Sequence, residues 1–193
     1  SMLGLVSYAL DANVTRKDLI EEQGLNQQVE DTIVRLTQNE KLYQFTMGVE
    51  DDPISILDKI RYFTEACGCR YIFFEPIQDL GYSRQDDTSL EQWLSSLSTK
   101  LARLAAELNV GIVSIAHEND DGNIRDCRMI GKRASVVVRL QRDKLAESDS
   151  ERNVTRLTIT KNRPTGNTGN AGQLRFDPSR FVLYDRDEDF REF

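Results

Sequence analysis

Lys161 and Arg163 stand one residue apart in the stretch LTITKNRPTGNTGNAGQLRFD, residues 157–177. A β-branched run that breaks into a loop of Gly, Asn and Thr reads as a strand. Strand side chains alternate between faces, so both cations leave the same side. Two converging cations at a strand end make a good holder for an anion, phosphate above all. The same residues also fit an exposed edge hairpin with solvated charges, and this stretch alone does not separate the two readings. Glu75 closes the apolar run RYIFFEP, and His117, the single histidine, closes VGIVSIAH. A lone carboxylate or histidine after an apolar strand is most often satisfied locally. Polar residues at the ends of three strands are harder to dismiss.

The elements that position these residues follow from periodicity. Residues 15–41 read as helices, with Leu19, Ile20, Val29, Ile33 and Leu36 at near-helical spacing and Gly24 at a turn. A DNA-binding helix-turn-helix is disfavoured there because the second helix lacks a basic face. LYQFTM reads as a short strand. DDPISILDKIRYFTEACG reads as a helix capped by Asp52, with Pro53 at its first position. RYIFFEPIQDL and VGIVSIAH are continuous apolar runs of the kind found in buried parallel sheets. Between them, TSLEQWLSSLSTKLARLAAELN is a helix with a Thr88/Glu91 capping box and a leucine stripe from Leu90 to Leu108. SVVVRLQRD, NVTRLTITKNR, GQLRFD and RFVLYD are strands, the last two a hairpin turning at Asp177-Pro178-Ser179. Strands alternating with helices predict a three-layer α/β domain whose site lies at the carboxyl ends of a largely parallel sheet.

Composition narrows the class. The chain has 193 residues, 39% hydrophobic and 30% charged, which suits one globular core. The net charge of −7 argues against a general nucleic-acid coat, so any such contact needs a local basic patch. Cys67, Cys69 and Cys127 make no disulfide framework, and one histidine gives little support to a zinc site. No run approaches membrane-spanning length, and a reduced intracellular setting is expected.

The sequence resembles the RecA-like motor domain of DnaB-type replicative ring helicases, most closely the primase-helicases of bacteriophages and mitochondria. YIFFEP looks like the Walker B strand and GIVSIAH like the strand ending in a γ-phosphate sensor. IRDCRMIGKRASVVVRLQRD is similar to the family's LR-x-S-G segment and the strand after it. TITKNRPTGNTGNAGQLRFD is similar to the Lys-x-Arg finger strand, Thr-Gly loop and closing strand, and is the most specific of the four. The likeness runs from about residue 53 to residue 184.

The resemblance implies roles residue by residue. Glu75 falls where a Walker B aspartate binds magnesium through water, and it is one methylene longer. His117 falls at the sensor, and Lys161 and Arg163 at the finger that reaches a neighbouring subunit's nucleotide. Arg142 and Phe176 fall where phage enzymes pack the nucleotide base. Arg125 matches the arginine of LR-x-S-G. Cys127 and Arg128 replace its serine and glycine, and Lys132 replaces a glutamine that links DNA and nucleotide. The expected DNA contacts are Arg125, Arg128 and Lys132, because the loop after His117, ENDDGNIRD, is short and acidic.

No GxxxxGK[ST] occurs in the chain, and nothing else cradles the β- and γ-phosphates. The expectation is therefore the C-terminal part of a motor domain whose phosphate loop precedes residue 1, inactive by itself; Ser1-Met2 reads as a tag remnant. Its domains are a helical part at 1–42, a RecA-like core at 43–184 and an acidic tail at 185–193. The implied full-length protein is a homo-hexamer joined through the Lys161/Arg163 strand. It takes Mg²⁺ with ATP or another NTP, binds single-stranded DNA, and works in the cytoplasm, a phage host's cytoplasm or the mitochondrion. The tail DRDEDFREF resembles one with which phage helicases hold DNA polymerase; a solvated end is the other reading. Two alternatives remain open, a catalytically dead RecA-like interaction module and another RecA-like ATPase such as a recombinase.

Overall fold

The computed structural model describes residues 2–38, 42–45, 55–74, 76–82 and 88–185. Glu75, the Asp52-Pro53 cap and residues 186–193 of the tail lie outside the described residues. In chain order the elements are α1 (Met2–Leu10), α2 (Lys17–Glu22), α3 (Asn26–Gln38), α4 (Ser55–Glu65), β1 (Tyr71–Phe74), α5 (Ile77–Tyr82) and α6 (Leu90–Leu108). They continue with β2 (Gly111–Ser114), α7 (Met129–Arg133), β3 (Val136–Arg142), α8 (Asp149–Arg152), β4 (Val154–Asn162), β5 (Gly169–Asp177) and β6 (Val182–Asp185). They form two compact units, Tyr43–Ala134 and Ser1–Leu42 with Ser135–Phe193.

In the unit Tyr43–Ala134, β1 and β2 form a parallel ladder from Tyr71↔Gly111 to Phe74↔Ser114. A parallel pair needs a crossover, and α6 lies within it. The leucine stripe holds: Leu94, Leu97, Leu101 and Leu104 are buried, with Leu90 and Leu108 packed at the margin. The cap is one residue later than expected. Ser89, not Thr88, has the extended backbone that brings its hydroxyl over the first turn, where it accepts from the Gln92 N–H at 3.3 Å. Asn109 closes the helix in the left-handed conformation, φ 53°.

Three expectations change in this unit. β1 stops at Phe74 with IQDL turning helical instead of extending it, and β2 likewise stops at Ser114, short of His117. The Pro76 carbonyl accepts from the Asp79 N–H at 2.9 Å, opening that turn. α5 then approaches α6 so closely that a Cβ on Gly81 would stand 2.3 Å from Leu90 Cδ1. The parallel strands are buried on one face only: Ile72 and Ile112 join the core, whereas Tyr71, Phe73, Val113 and Ile115 are exposed. Finally, residues 42–45 form no strand. Their rings pack instead, Tyr43 against Phe63 at 6.0 Å and Phe45 beneath the Lys59 ammonium at 3.9 Å.

In the other unit, α1, α2 and α3 bury Val6, Val14 and Val29, and Gly24 (φ +65°) makes the expected turn between α2 and α3. Buried Ser7 accepts from the Val14 N–H at 3.1 Å. β3-β4-β5-β6 form an antiparallel sheet in sequence order. The β5–β6 turn is the expected one. The Asp177 carboxylate accepts from Ser179 Oγ at 2.6 Å and from Arg180 Nε at 2.8 Å. Arg180 also reaches Asp11 at 2.9 Å, tying the hairpin to the end of α1. The chain is thus an α/β protein with a parallel ladder and C-terminal antiparallel strands, the expected class. Among the described residues the parallel part has two strands.

Candidate functional site

The end of β2 is built on Gln78. The Ile77 N–H donates to the Ile115 carbonyl at 3.0 Å, carrying the β1–β2 contact one step past the ladder. The next side chain, Gln78, is fully buried. Its Oε1 accepts from the His117 N–H at 3.3 Å, and its Nε2 donates to the His117 carbonyl at 3.1 Å and the Arg125 carbonyl at 3.3 Å. The Arg125 N–H closes back on the His117 carbonyl at 2.8 Å. Between these anchors the acidic loop is a tight reversal: Glu118 bridges Ile124, and the Gly122 N–H donates to the Asn119 carbonyl at 2.9 Å with Gly122 at φ +73°.

His117 is exposed beyond this scaffold. Arg125, Arg128 and Lys132 are exposed too, Arg128 at the N-cap of α7 and Lys132 one turn on. Arg125 Nε pairs with Asp126 at 3.1 Å, which takes up part of its charge. Cys127 is buried in the core. Glu75 lies outside the described residues. Among those described, no three His, Cys, Asp or Glu side chains gather as a metal would require. All three cysteines are free, and burial followed by neighbouring Cys67 pushes the Cys69 thiol up.

Lys161 and Arg163 belong to the other unit. Lys161 pairs with Val137, whereas Ile159 pairs with Val138, so Thr160 is bulged between them. The Arg163 N–H donates to the Ser135 carbonyl at 2.9 Å, extending the ladder past Asn162. Asn162, between the two cations, turns its amide to Thr165 Oγ1 at 2.6 Å, and its carbonyl accepts from the Gly166 N–H at 2.7 Å. Lys161 is half-buried and Arg163 exposed. Burial, then the neighbouring Arg163 charge, holds the Lys161 ammonium below its ordinary pKa.

Arg142 and Phe176 also meet. The guanidinium carbon stands 5.8 Å from the ring centroid. Arg142 donates to the Arg152 carbonyl and, at 2.6 Å, to Asn153 Oδ1. The Phe176 N–H donates to the Asn153 carbonyl at 2.8 Å, and its ring packs edge-on against Phe181 at 5.4 Å. Asn153 therefore holds both members of the pair. Sequence reasoning missed Gln78 and Asn153, whose partners are mostly backbone groups. No helix among the described residues is long and apolar enough to cross a membrane.

A family model described as DnaB-like helicase C-terminal domain matches residues 7–182. No curated protein matches. The fold is similar to a solved DnaB-like replicative helicase, described with its interactions with primase, at 18% identity and a TM-score of 0.67. That match covers 94% of this chain and 46% of the other, so this chain spans about half of that helicase's length. A KaiC-like protein from the hyperthermophilic archaeon Pyrococcus horikoshii OT3 is similar at 14% identity, a TM-score of 0.59, and coverage of 88% and 69%.

Proposed function

This chain belongs to the DnaB-like helicase C-terminal domain family, and from that premise we propose that it is the C-terminal part of a hexameric replicative helicase motor. The full-length protein couples NTP hydrolysis to movement along single-stranded DNA and to duplex unwinding. The observation that carries this reading is the family match, because residues 7–182 take in both units and every candidate site residue.

The chemistry asks little covalent work of the protein. Phosphoryl transfer passes through a loose, charge-spread transition state, so positioning and electrostatics supply the rate. Arg163 stabilises the transferring phosphoryl group of a neighbouring subunit, with Lys161 beside it. The crowded, half-buried Lys161 supports this, since an incoming anion relieves the repulsion between the two cations. Arg142 and Phe176 offer a guanidinium and a ring to a nucleotide base; at 5.8 Å they touch each other, so a base entering between them parts the pair. His117 senses the γ-phosphate. Magnesium commonly takes one or two protein carboxylates and completes its shell with phosphate and water, and Glu75 would be the carboxylate this chain contributes, through a bound water. Arg125, Arg128 and Lys132 are the DNA-facing cations, and an acidic tail contacts the polymerase.

The test is phosphate release and strand displacement on a forked duplex by the full-length protein. The expected result is single-strand-stimulated hydrolysis with unwinding, and no phosphate release from the 193-residue chain alone. A full-length protein that forms rings and binds DNA yet releases no phosphate contradicts the reading and favours a dead interaction module.

A further inference from the structure

Gln78 is a fully buried polar side chain whose bonds, among the described residues, go to one loop. Of its three contacts, two are to the backbone of His117 and one is to that of Arg125. The His117 carbonyl accepts twice, from Gln78 Nε2 at 3.1 Å and from the Arg125 N–H at 2.8 Å. One amide thereby joins His117, three residues past the end of β2, the residue leaving the acidic loop, and α5. α5 itself begins two residues after Glu75. A glutamine amide has the fork this needs, donors for two carbonyls and an acceptor for one N–H. An aliphatic side chain there leaves the His117 N–H and the Arg125 carbonyl to find other partners, and the His117 carbonyl with the Arg125 N–H alone, and burial makes that costly.

We infer that Gln78 is a positioning residue that moves His117 and Arg125 as one body with α5. It thereby couples the nucleotide-facing end of β2 to the DNA-facing cations. The coupling rests on the helicase reading above; the joint positioning does not. Arg125 feels a change at His117 through a shared carbonyl rather than across the acidic loop. That loop is joined at its base by the Glu118–Ile124 bridge, so its tip need not take part.

Two measurements test this. In the 193-residue chain, Gln78→Met should speed amide exchange at His117, which loses its acceptor, and at Arg125, whose acceptor carbonyl is no longer held by Gln78, by about fivefold, the factor that corresponds to a bond worth about 1 kcal/mol. Unchanged exchange at either amide overturns the positioning. In the full-length protein, Gln78→Met should lower the ratio of DNA-stimulated to basal hydrolysis by about tenfold, a typical coupling energy.

Gln78→Glu gives a second arm that does not depend on the Met variant folding. A carboxylate facing two carbonyls repels them, whereas the protonated acid donates one O–H. The stimulation ratio, and protection of both amides, should therefore be lost near about pH 8 and partly return near about pH 6. A Glu variant that follows the wild-type pH profile overturns the inference. If wild-type hydrolysis shows no DNA stimulation, the helicase reading fails. The amide exchange then still decides whether Gln78 positions both residues.

Discussion

Lys161 near the end of β4 and Arg163 just past it are crowded like charges, and the Lys161 ammonium sits below its ordinary pKa through burial first and Arg163 second. Replacing Arg163 by Gln should therefore raise the Lys161 pKa without restoring it fully, because burial remains. Nitrogen-detected titration of Lys161 Nζ reads this directly. No rise on removing Arg163 contradicts the proximity. Pyrophosphate added to the unsubstituted chain should raise the same pKa.

The Asp177 carboxyl is held down to about 2 by the Ser179 hydroxyl and the Arg180 guanidinium. Its folded pKa lies below the ordinary aspartate value of 3.8, so its contribution to stability is fully present above that value. The contribution fades as pH falls through the window between 3.8 and about 2. Asp177→Asn should be less stable than wild type at neutral pH, and the gap should narrow on acidification through that window. Urea unfolding at a series of pH values measures it. A gap independent of pH contradicts the assigned partners.

The α6 stripe gives a packing prediction. Leu94 is fully buried, and Leu94→Ala should cost about 2–5 kcal/mol in chemical unfolding. Val113, on the exposed face of the β1–β2 ladder, should tolerate Thr within about 0.5 kcal/mol. Equal losses at the two positions would mean that both faces of the ladder are buried in solution.

Arg142 and Phe176 should act on nucleotide binding more than on turnover. Phe176→Ala in the full-length protein should raise KM for NTP several-fold with little change in kcat, the pattern of lost uniform binding. Asn153→Ala should do the same more weakly, because Asn153 holds both members of the pair through its side-chain and backbone oxygens. A fall in kcat with KM unchanged places the pair in the chemical step instead.

The elements with a strong period are legible in the sequence. The Leu94–Leu104 stripe and the Asp177-Pro178-Ser179 turn stand where periodicity and turn chemistry put them. α5 is not legible, because a short apolar run such as FFEPIQDL has no period to separate strand from helix. Ser89 takes the cap from Thr88 through backbone conformation, which neighbouring hydroxyl residues do not reveal. The Arg142–Phe176 pair follows from family resemblance, since no spacing rule joins residues on β3 and β5. Gln78 leaves no signature, since its partners are backbone groups 39 and 47 residues away.

The central claim is that Arg163 works on a neighbouring subunit's nucleotide. In full-length rings, Arg163→Ala should lower hydrolysis by about a hundredfold, roughly 3 kcal/mol of transition-state stabilisation, with a much smaller loss of nucleotide binding. Lys161→Ala should be milder, because an ammonium lacks the guanidinium fork. The direct measurement mixes Arg163→Ala subunits with Glu75→Ala subunits, after confirming that mixed rings form. A finger acting in trans predicts that mixed rings regain hydrolysis that neither variant has alone, since some interfaces unite an intact Glu75 with an intact Arg163. No recovery at any mixing ratio contradicts it.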